Sequence, residues 1–194
     1  MDLKRSASSG ELASSSYLQE GMWFSEQILQ QEGLLNLCVC LHLSGDLQLD
    51  SLRVAFDELI DRHEMLRTTF ELDGDVIMQR IHRPAPADFR VIEATSGDAA
   101  RKAAAAESMR GFDVSADQLL RARLYRIDSA THVLLIAMHH LVCDQWSVNV
   151  LLRDLRELYA SQLLGQAAAL PALQTQYRHF AAAQREYLRG DRYW

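Results

Sequence analysis

The feature that most constrains the fold is one stretch, HVLLIAMHH at residues 132–140, which is apolar between its terminal histidines. A strand with one solvated face alternates apolar and polar side chains, whereas an unbroken apolar run indicates a strand that is buried on both faces. We therefore predict a central strand whose neighbours cover it on every side. Because successive side chains of a strand point to opposite faces, His139 and His140 should face different surroundings at its end.

Helical and strand patterns surround this stretch and define the fold class. Strands are predicted where β-rich or alternating runs occur, with an Asp73-Gly74 hairpin turn inside the second, at residues 36–44, 68–82, 88–94 and 119–128. Amphipathic or alanine-rich patterns predict helices at residues 17–31, 98–110, 147–165 and 175–190. A further helix is predicted within residues 45–66, with Asp50 or Ser51 as its cap. Because hairpins and crossovers alternate irregularly, we expect an α/β (α+β sandwich) fold in which a mixed sheet packs against helices.

Length, charge and cysteine content exclude several classes of protein. The chain has 194 residues and a formal net charge of −6, with no apolar run long enough to span a bilayer, so we expect no nucleic-acid and no membrane partner. Residues 1–14 are polar, lack a signal-peptide core and are predicted to be a tail or linker. Cys38, Cys40 and Cys143 form no disulfide framework, which indicates a reduced, cytoplasmic setting.

The end of the apolar strand carries a cluster of reactive residue types. His140 suits a general base because the unperturbed pKa of histidine lies near neutrality, and Asp144 would then hold the local structure. A metal site at His139, His140 and Asp144 is disfavoured because neighbouring histidines diverge on a strand and no further ligand motif follows. Cys143 as a nucleophile has no activating context, and a purely structural histidine pair is the fourth interpretation.

Four segments resemble, in order, the motifs of condensation domains from nonribosomal peptide synthetases. MHHLVCDQWSVNVLLRDLRELY resembles the region of the family's HHxxxDG signature, and RHEMLRTTF at residues 62–70 resembles its second motif. The opening and fourth motifs match on the following positions: Ser16, Gln19, Trp23, Tyr177, Phe180 and Gln184. Four ordered matches across residues 16–188 are far more specific than any single pattern.

The resemblance implies a chloramphenicol acetyltransferase-like fold of two lobes with the active site in a tunnel between them. Residues 15–194 would form the N-terminal lobe, and a C-terminal lobe would be the missing partner. Such a domain joins an acyl or peptidyl thioester on an upstream carrier protein to an amine on a downstream carrier protein. Both substrates arrive on phosphopantetheine arms, and the domain itself binds no cofactor and no metal.

The resemblance also implies roles for individual residues. His140 would be the functional histidine, acting as a base or positioning the amine, and His139 would support it. Asp144 would pair with Arg67, and losing one member of such a buried pair should cost about 3–5 kcal/mol. Two further residues would support the site, with Ser147 capping the following helix and Trp146 packing against it.

Two departures from the family pattern and two rival functions stay open at this point. Gln145 replaces the motif glycine and is expected to be tolerated, and Gly21 stands where arginine is common. The presence of His139 disfavours a cyclisation domain, which carries aspartate there. An epimerisation domain keeps both histidines and stays open, although the Trp146-Ser147 order resembles condensation domains more. The alternatives are a stand-alone acyltransferase of the same superfamily that uses coenzyme A thioesters, and a non-catalytic lobe that binds carrier proteins.

Overall fold

The computed structural model describes residues 10–189, which form seven β-strands and five α-helices. The strands are β1 (Gly10–Ser14), β2 (Asn36–Ser44), β3 (Thr68–Asp73), β4 (Val76–His82), β5 (Asp88–Glu93), β6 (Leu120–Arg126) and β7 (Thr131–His139). The helices are α1 (Tyr17–Leu29), α2 (Leu49–Arg62), α3 (Gly97–Ser108), α4 (Gln145–Leu164) and α5 (Tyr177–Arg189), and a 3₁₀ turn spans Glu64–Arg67. The predicted α/β class, a mixed sheet packed with helices, is confirmed.

The main sheet has four strands in the order β2-β7-β6-β5. The pairs β2–β7 and β6–β7 are antiparallel, and the pair β5–β6 is parallel. Every residue of β7 from His132 to His139 is buried. The apolar run therefore forms the doubly covered central strand that its composition predicts.

Helices cover both faces of the main sheet, and the alternation of β7 decides which side chain meets which helix. Leu134, Ile136 and Met138 join the principal core under α2 and α4, whereas Val133 and Leu135 pack under α3 on the other face. His139 thus belongs to the α3 face, and the following residue points back toward α2 and α4. Within residues 10–189, no helix is long and apolar enough to cross a membrane.

A second, smaller antiparallel sheet has the strand order β1-β4-β3. The predicted hairpin turn joins β3 to β4, and Gly74 adopts a φ of 63°, which glycine reaches without a Cβ penalty. The predicted tail is wrong for residues 10–14, because Gly10 to Ser14 pair in register with His82 to Met78 of β4. The edge of β4 supplies hydrogen-bond partners to the backbone of this polar segment, and no hydrophobic pattern in the segment predicts that pairing. Residues 1–9 of the predicted tail lie outside the described residues.

Helix ends follow local capping chemistry in two cases and depart from it in one. Ser16 caps α1 in a reciprocal capping box with Gln19, as the serines before that helix predict. Gly165 ends α4 in the left-handed conformation at φ 62°. The predicted cap of α2 at Asp50 or Ser51 is wrong, because that helix begins earlier, after Gln48, and no side chain caps it.

Candidate active site

The candidate site is a cleft of about 660 Å³ beside the turn that follows β7. Its walls come from α1, the 3₁₀ turn, the first turns of α4 and the start of α5. Leu66, Leu151 and Phe180 give it an apolar lining, while His140 and His63 contribute imidazoles. A largely apolar concavity of this size with a few convergent polar groups is typical of a small-molecule site.

His140 reaches this cleft because strand alternation turns it away from the buried face that holds His139. Its backbone N–H donates to the carbonyl of Leu35 at 2.8 Å, which fixes the main chain where β7 ends. The side chain is half-buried and lines the cleft. Its Nδ1 atom is buried and has no hydrogen-bond partner among the described residues. The prediction that one histidine faces a cavity and the other the packed side agrees with this arrangement.

His139 is 1% exposed and held on three sides. Its Nδ1 accepts from the backbone N–H of Leu141 at 3.2 Å, and its Nε2 lies 3.1 Å from Oε1 of Glu26 in α1. Its ring and that of Phe112 are nearly perpendicular, with the two centroids 6.1 Å apart. The first histidine is therefore placed to hold the turn, and it does not line the cleft.

Asp144 has a local structural contact in place of the predicted long-range pair. The carboxylate is exposed and accepts from the backbone N–H of Ser147 at 2.7 Å and from its hydroxyl at 2.6 Å. The hydrogen bond from the Ser147 hydroxyl, followed in size by the one from its backbone N–H, holds the pKa of Asp144 below its ordinary value. Asp144 is therefore the N-cap of α4, and the prediction that Ser147 caps this helix is wrong because Ser147 lies in its first turn.

The predicted pairing of Arg67 with Asp144 is also wrong. Arg67 ends the 3₁₀ turn, where its guanidinium donates to the carbonyl of His82 and lies 3.9 Å from Glu64. Asp144 is meanwhile occupied by the cap, so the two charges serve different elements. Trp146, predicted to pack against α4, is 79% exposed and lines the cleft.

A buried ion cluster that includes the cleft residue His63 centres on Asp154, which is absent from the residues predicted from the sequence. Asp154 lies in α4 and is 0% exposed. Its carboxylate accepts hydrogen bonds from Nε of Arg62 at 3.0 Å, from Nε2 of His63 at 2.9 Å and from Arg153 at 2.7 Å. Burial alone would raise the pKa of Asp154, but hydrogen bonds from Arg153, Arg62 and His63 outweigh burial and lower it. Burial lowers the pKa of His63 despite this carboxylate. The second motif thus joins α2 to α4 through a carboxylate.

Hydrogen bonds connect the opening, third and fourth motifs along one wall of the cleft. The Gln19 amide donates to the carbonyl of Leu141 at 3.0 Å, beside the histidines. The Ser16 and Tyr177 hydroxyls lie 3.0 Å apart, and Tyr17 donates its backbone N–H to Gln184 at 3.1 Å. The motif positions are therefore spatial neighbours that build one wall.

Gln145 and Cys143 lie on either side of the capping Asp144. Among residues 10–189, Gln30 is the only residue other than glycine with a positive φ, so Gln145 sits in ordinary backbone and needs no glycine. Cys143 is buried, and burial raises the pKa of its thiol to about 12, with the charge of Asp144 adding to the effect. A thiol in this state is no activated nucleophile.

Metal-binding geometry is absent from the same part of the chain. Across residues 10–189, no group of three or more histidine, cysteine, aspartate or glutamate side chains is arranged to hold a metal ion.

Comparisons with known proteins match nearly the whole chain. A family model described as "Condensation domain" matches residues 11–194. A linear gramicidin synthase of Brevibacillus parabrevis is 34% identical over 183 residues, which are 91% of this chain and 2% of that protein. A plipastatin synthase of Bacillus subtilis (strain 168) is 40% identical over 160 residues, which are 81% of this chain and 6% of that protein. The chain therefore spans only a small part of these relatives.

Solved structures share the fold over a similar span. The X-domain from teicoplanin biosynthesis superposes with a TM-score of 0.85 at 29% identity, covering 97% of this chain and 41% of that one. The starter condensation domain of rhizomide synthetase RzmA superposes with a TM-score of 0.83 at 18% identity, covering 93% of this chain and 44% of that one.

Proposed function

This chain belongs to the condensation domain family of nonribosomal peptide synthetases, and on that premise we propose that it is the N-terminal lobe of an amide-forming domain. Residues 15–194 would supply one wall of the active site, and a C-terminal lobe would supply the other. The substrates would be an acyl or peptidyl thioester on an upstream carrier protein and an amine on a downstream carrier protein, each on a phosphopantetheine arm.

The observation that carries this proposal is the placement of His140 on the cleft wall. The amine nitrogen attacks the thioester carbonyl carbon, the new C–N bond forms as the C–S bond breaks, and the leaving sulfur ends as a thiol. The proton that the amine loses must reach that sulfur. A half-buried imidazole lining an apolar cleft supports the role of accepting this proton or of holding the amine by a hydrogen bond.

Two further residues of the HHxxxDG-like motif act on the chain itself in this proposal. His139 holds the turn from its buried side, and Asp144 starts α4, which carries Leu151 into the cleft. Both act by positioning, because neither needs to touch a substrate to do so. The geometry thus supports a single catalytic side chain on this lobe.

The experiment compares His140→Ala with His42→Ala in the synthetase that carries this lobe, with both carrier proteins loaded. His42 is exposed on β2 and is not among the residues that line the cleft, so it serves as the matched control. Loss of a positioned acid–base group should slow amide formation by about 100- to 10,000-fold, measured as product by mass spectrometry. Undiminished product from His140→Ala would contradict the assignment.

Two other functions are tested by the same assay. A coenzyme A-dependent acyltransferase would accept free coenzyme A thioesters as well as carrier-bound donors, which the condensation proposal does not expect. A non-catalytic binding lobe is the other candidate, because the similar X-domain, 28% identical to this chain, forms a complex with OxyB. A binding lobe predicts a wild-type synthetase in which amide formation is independent of His140.

The 194-residue chain by itself should show no turnover. The second wall of the cleft belongs to the C-terminal lobe in this proposal, so the chain alone does not hold donor and acceptor in the near-attack geometry that supplies much of the rate.

We also propose a reduced, cytoplasmic setting, which suits three free cysteines.

A further inference from the structure

Helix α1 contacts the histidine turn with two side chains on one face. Gln19 donates to the carbonyl of Leu141 at 3.0 Å, and Glu26 lies 3.1 Å from Nε2 of His139. These residues are seven positions apart, about two helical turns, so both project from the same stripe of α1. The helix therefore meets the turn at two points.

The hydrogen bonds around His139 define where its ring proton lies. Nδ1 accepts from the backbone N–H of Leu141 at 3.2 Å, and a ring nitrogen that accepts carries no proton. The proton is then on Nε2, where the Glu26 carboxylate is the acceptor. In the opposite tautomer, the Leu141 N–H would face another N–H and Nε2 would face an anion without a donor.

The ring of His140 depends on this turn because it has no anchor of its own. Its Nδ1 is buried without a partner among residues 10–189, so no carboxylate or carbonyl orients the imidazole through that atom. Its placement rests on the backbone around it. The N–H of His140 donates to the carbonyl of Leu35, and the N–H of Val142 donates to the carbonyl of His139 at 3.0 Å. Leu141 is held at its carbonyl by Gln19 and at its N–H by Nδ1 of His139.

We propose that Glu26 is a positioning residue that locks His139 in the Nε2–H tautomer and thereby fixes the turn from which His140 projects. Glu26 is partly buried, belongs to none of the matched motif positions, and lies 113 residues from the histidine that it contacts. The inference rests on the proposed function only in naming His140 as the catalytic group. The lock itself is a property of the folded chain.

Nitrogen-15 NMR of the imidazoles in the 194-residue chain tests the lock without any chemistry. The wild-type chain should show His139 with an unprotonated Nδ1 and a protonated Nε2. Glu26→Gln should keep this pattern because its amide oxygen still accepts, whereas Glu26→Ala should lose it and should shift or broaden the His140 signals. Glu26→Asp, which keeps the charge but shortens the reach, takes the place of Glu26→Ala if the alanine variant does not fold.

Gln27→Ala is the matched control, since Gln27 is the exposed neighbour on α1, and it should leave both histidines unchanged. A protonated Nδ1 on His139 in the wild-type chain, or His139 and His140 signals that survive Glu26→Ala, would overturn the inference. These outcomes hold even if the synthetase forms no amide, so failure of the lock and failure of the proposed function are distinguishable.

The second arm measures amide formation by the synthetase that carries this lobe. Glu26→Ala should lower kcat by about 10- to 100-fold with little change in KM, because a displaced imidazole loses reactive geometry and the cleft keeps its lining. Glu26→Gln should restore most of the rate. Altered His139 signals combined with an unaltered kcat would refute the positioning role.

Discussion

Replacing Asp154 by alanine should strongly weaken the contact between α2 and α4. The carboxylate is 0% exposed and accepts from Arg62, His63 and Arg153, whose side chains are 17%, 15% and 53% exposed. The alanine variant would leave the two mostly buried donors without their acceptor. Arg153 reaches solvent and would lose little.

The magnitude follows from these exposures. A hydrogen bond to a charged group contributes about 1.5–3 kcal/mol, and the partial exposure of Arg62 and His63 favours the lower limit for each. The half-exposed Arg153 adds at most about 0.5 kcal/mol. The free energy of unfolding should therefore fall by about 3 kcal/mol, roughly a 100-fold change in the unfolding equilibrium.

Urea denaturation of the 194-residue chain followed by circular dichroism provides the measurement. With a slope of about 2 kcal/mol per molar urea, the midpoint should drop by about 1.5 M. Asp61→Asn, at an exposed position of the neighbouring α2, should stay within about 0.5 kcal/mol of the wild type. A loss below about 1 kcal/mol for Asp154→Ala would refute the argument that this carboxylate joins α2 to α4.

Three further predictions follow from groups near the cleft. Because folding lowers the pKa of Asp154, the ionised carboxylate contributes stability above about pH 4, and this contribution is lost as the pH falls below that value. The urea midpoint of the wild type should therefore drop toward about pH 2, and the midpoint of Asp154→Ala should drop less steeply. Because burial raises the pKa of the Cys143 thiol to about 12, Ellman's reagent at pH 8 should find only the two exposed cysteines of β2 in the native chain and all three in denaturant; a third native thiol would contradict this. Asp144→Ala should cost about 1 kcal/mol of unfolding free energy and Asp144→Ser little, since serine also caps helices, and equal losses would argue against the cap.

Features that depend on local chemistry were predictable from the sequence. The buried strand β7, the hairpin at Gly74 and the Ser16 cap each follow from the residues of one short segment. Strand alternation likewise separated His139 from His140. Neighbouring side chains diverge on any strand, whatever the rest of the chain does.

Pairings between distant charges were not predictable in the same way. Ser147, three residues after Asp144, donates its backbone N–H to that carboxylate. Such a local cap orders less of the chain than a contact with Arg67, which lies 77 positions earlier. The position of Asp154 in the sequence does indicate a buried partner. It lies between Leu151 and Leu158 on the buried stripe of α4, where an acidic residue requires a partner.

The bonds between the ends of the chain also bear on how it is made. Arg185 in α5 donates to the carbonyl of Ser15 at 2.5 Å across 170 positions, and Gln19 bonds to Leu141 across 122. At a synthesis rate of about 5–20 residues per second, α1 spends roughly 10–30 s outside the ribosome before α5 emerges to join it. During that interval Arg185 is not yet present to bond Ser15 and Glu20, so a chaperone can bind this segment before its last native contacts form.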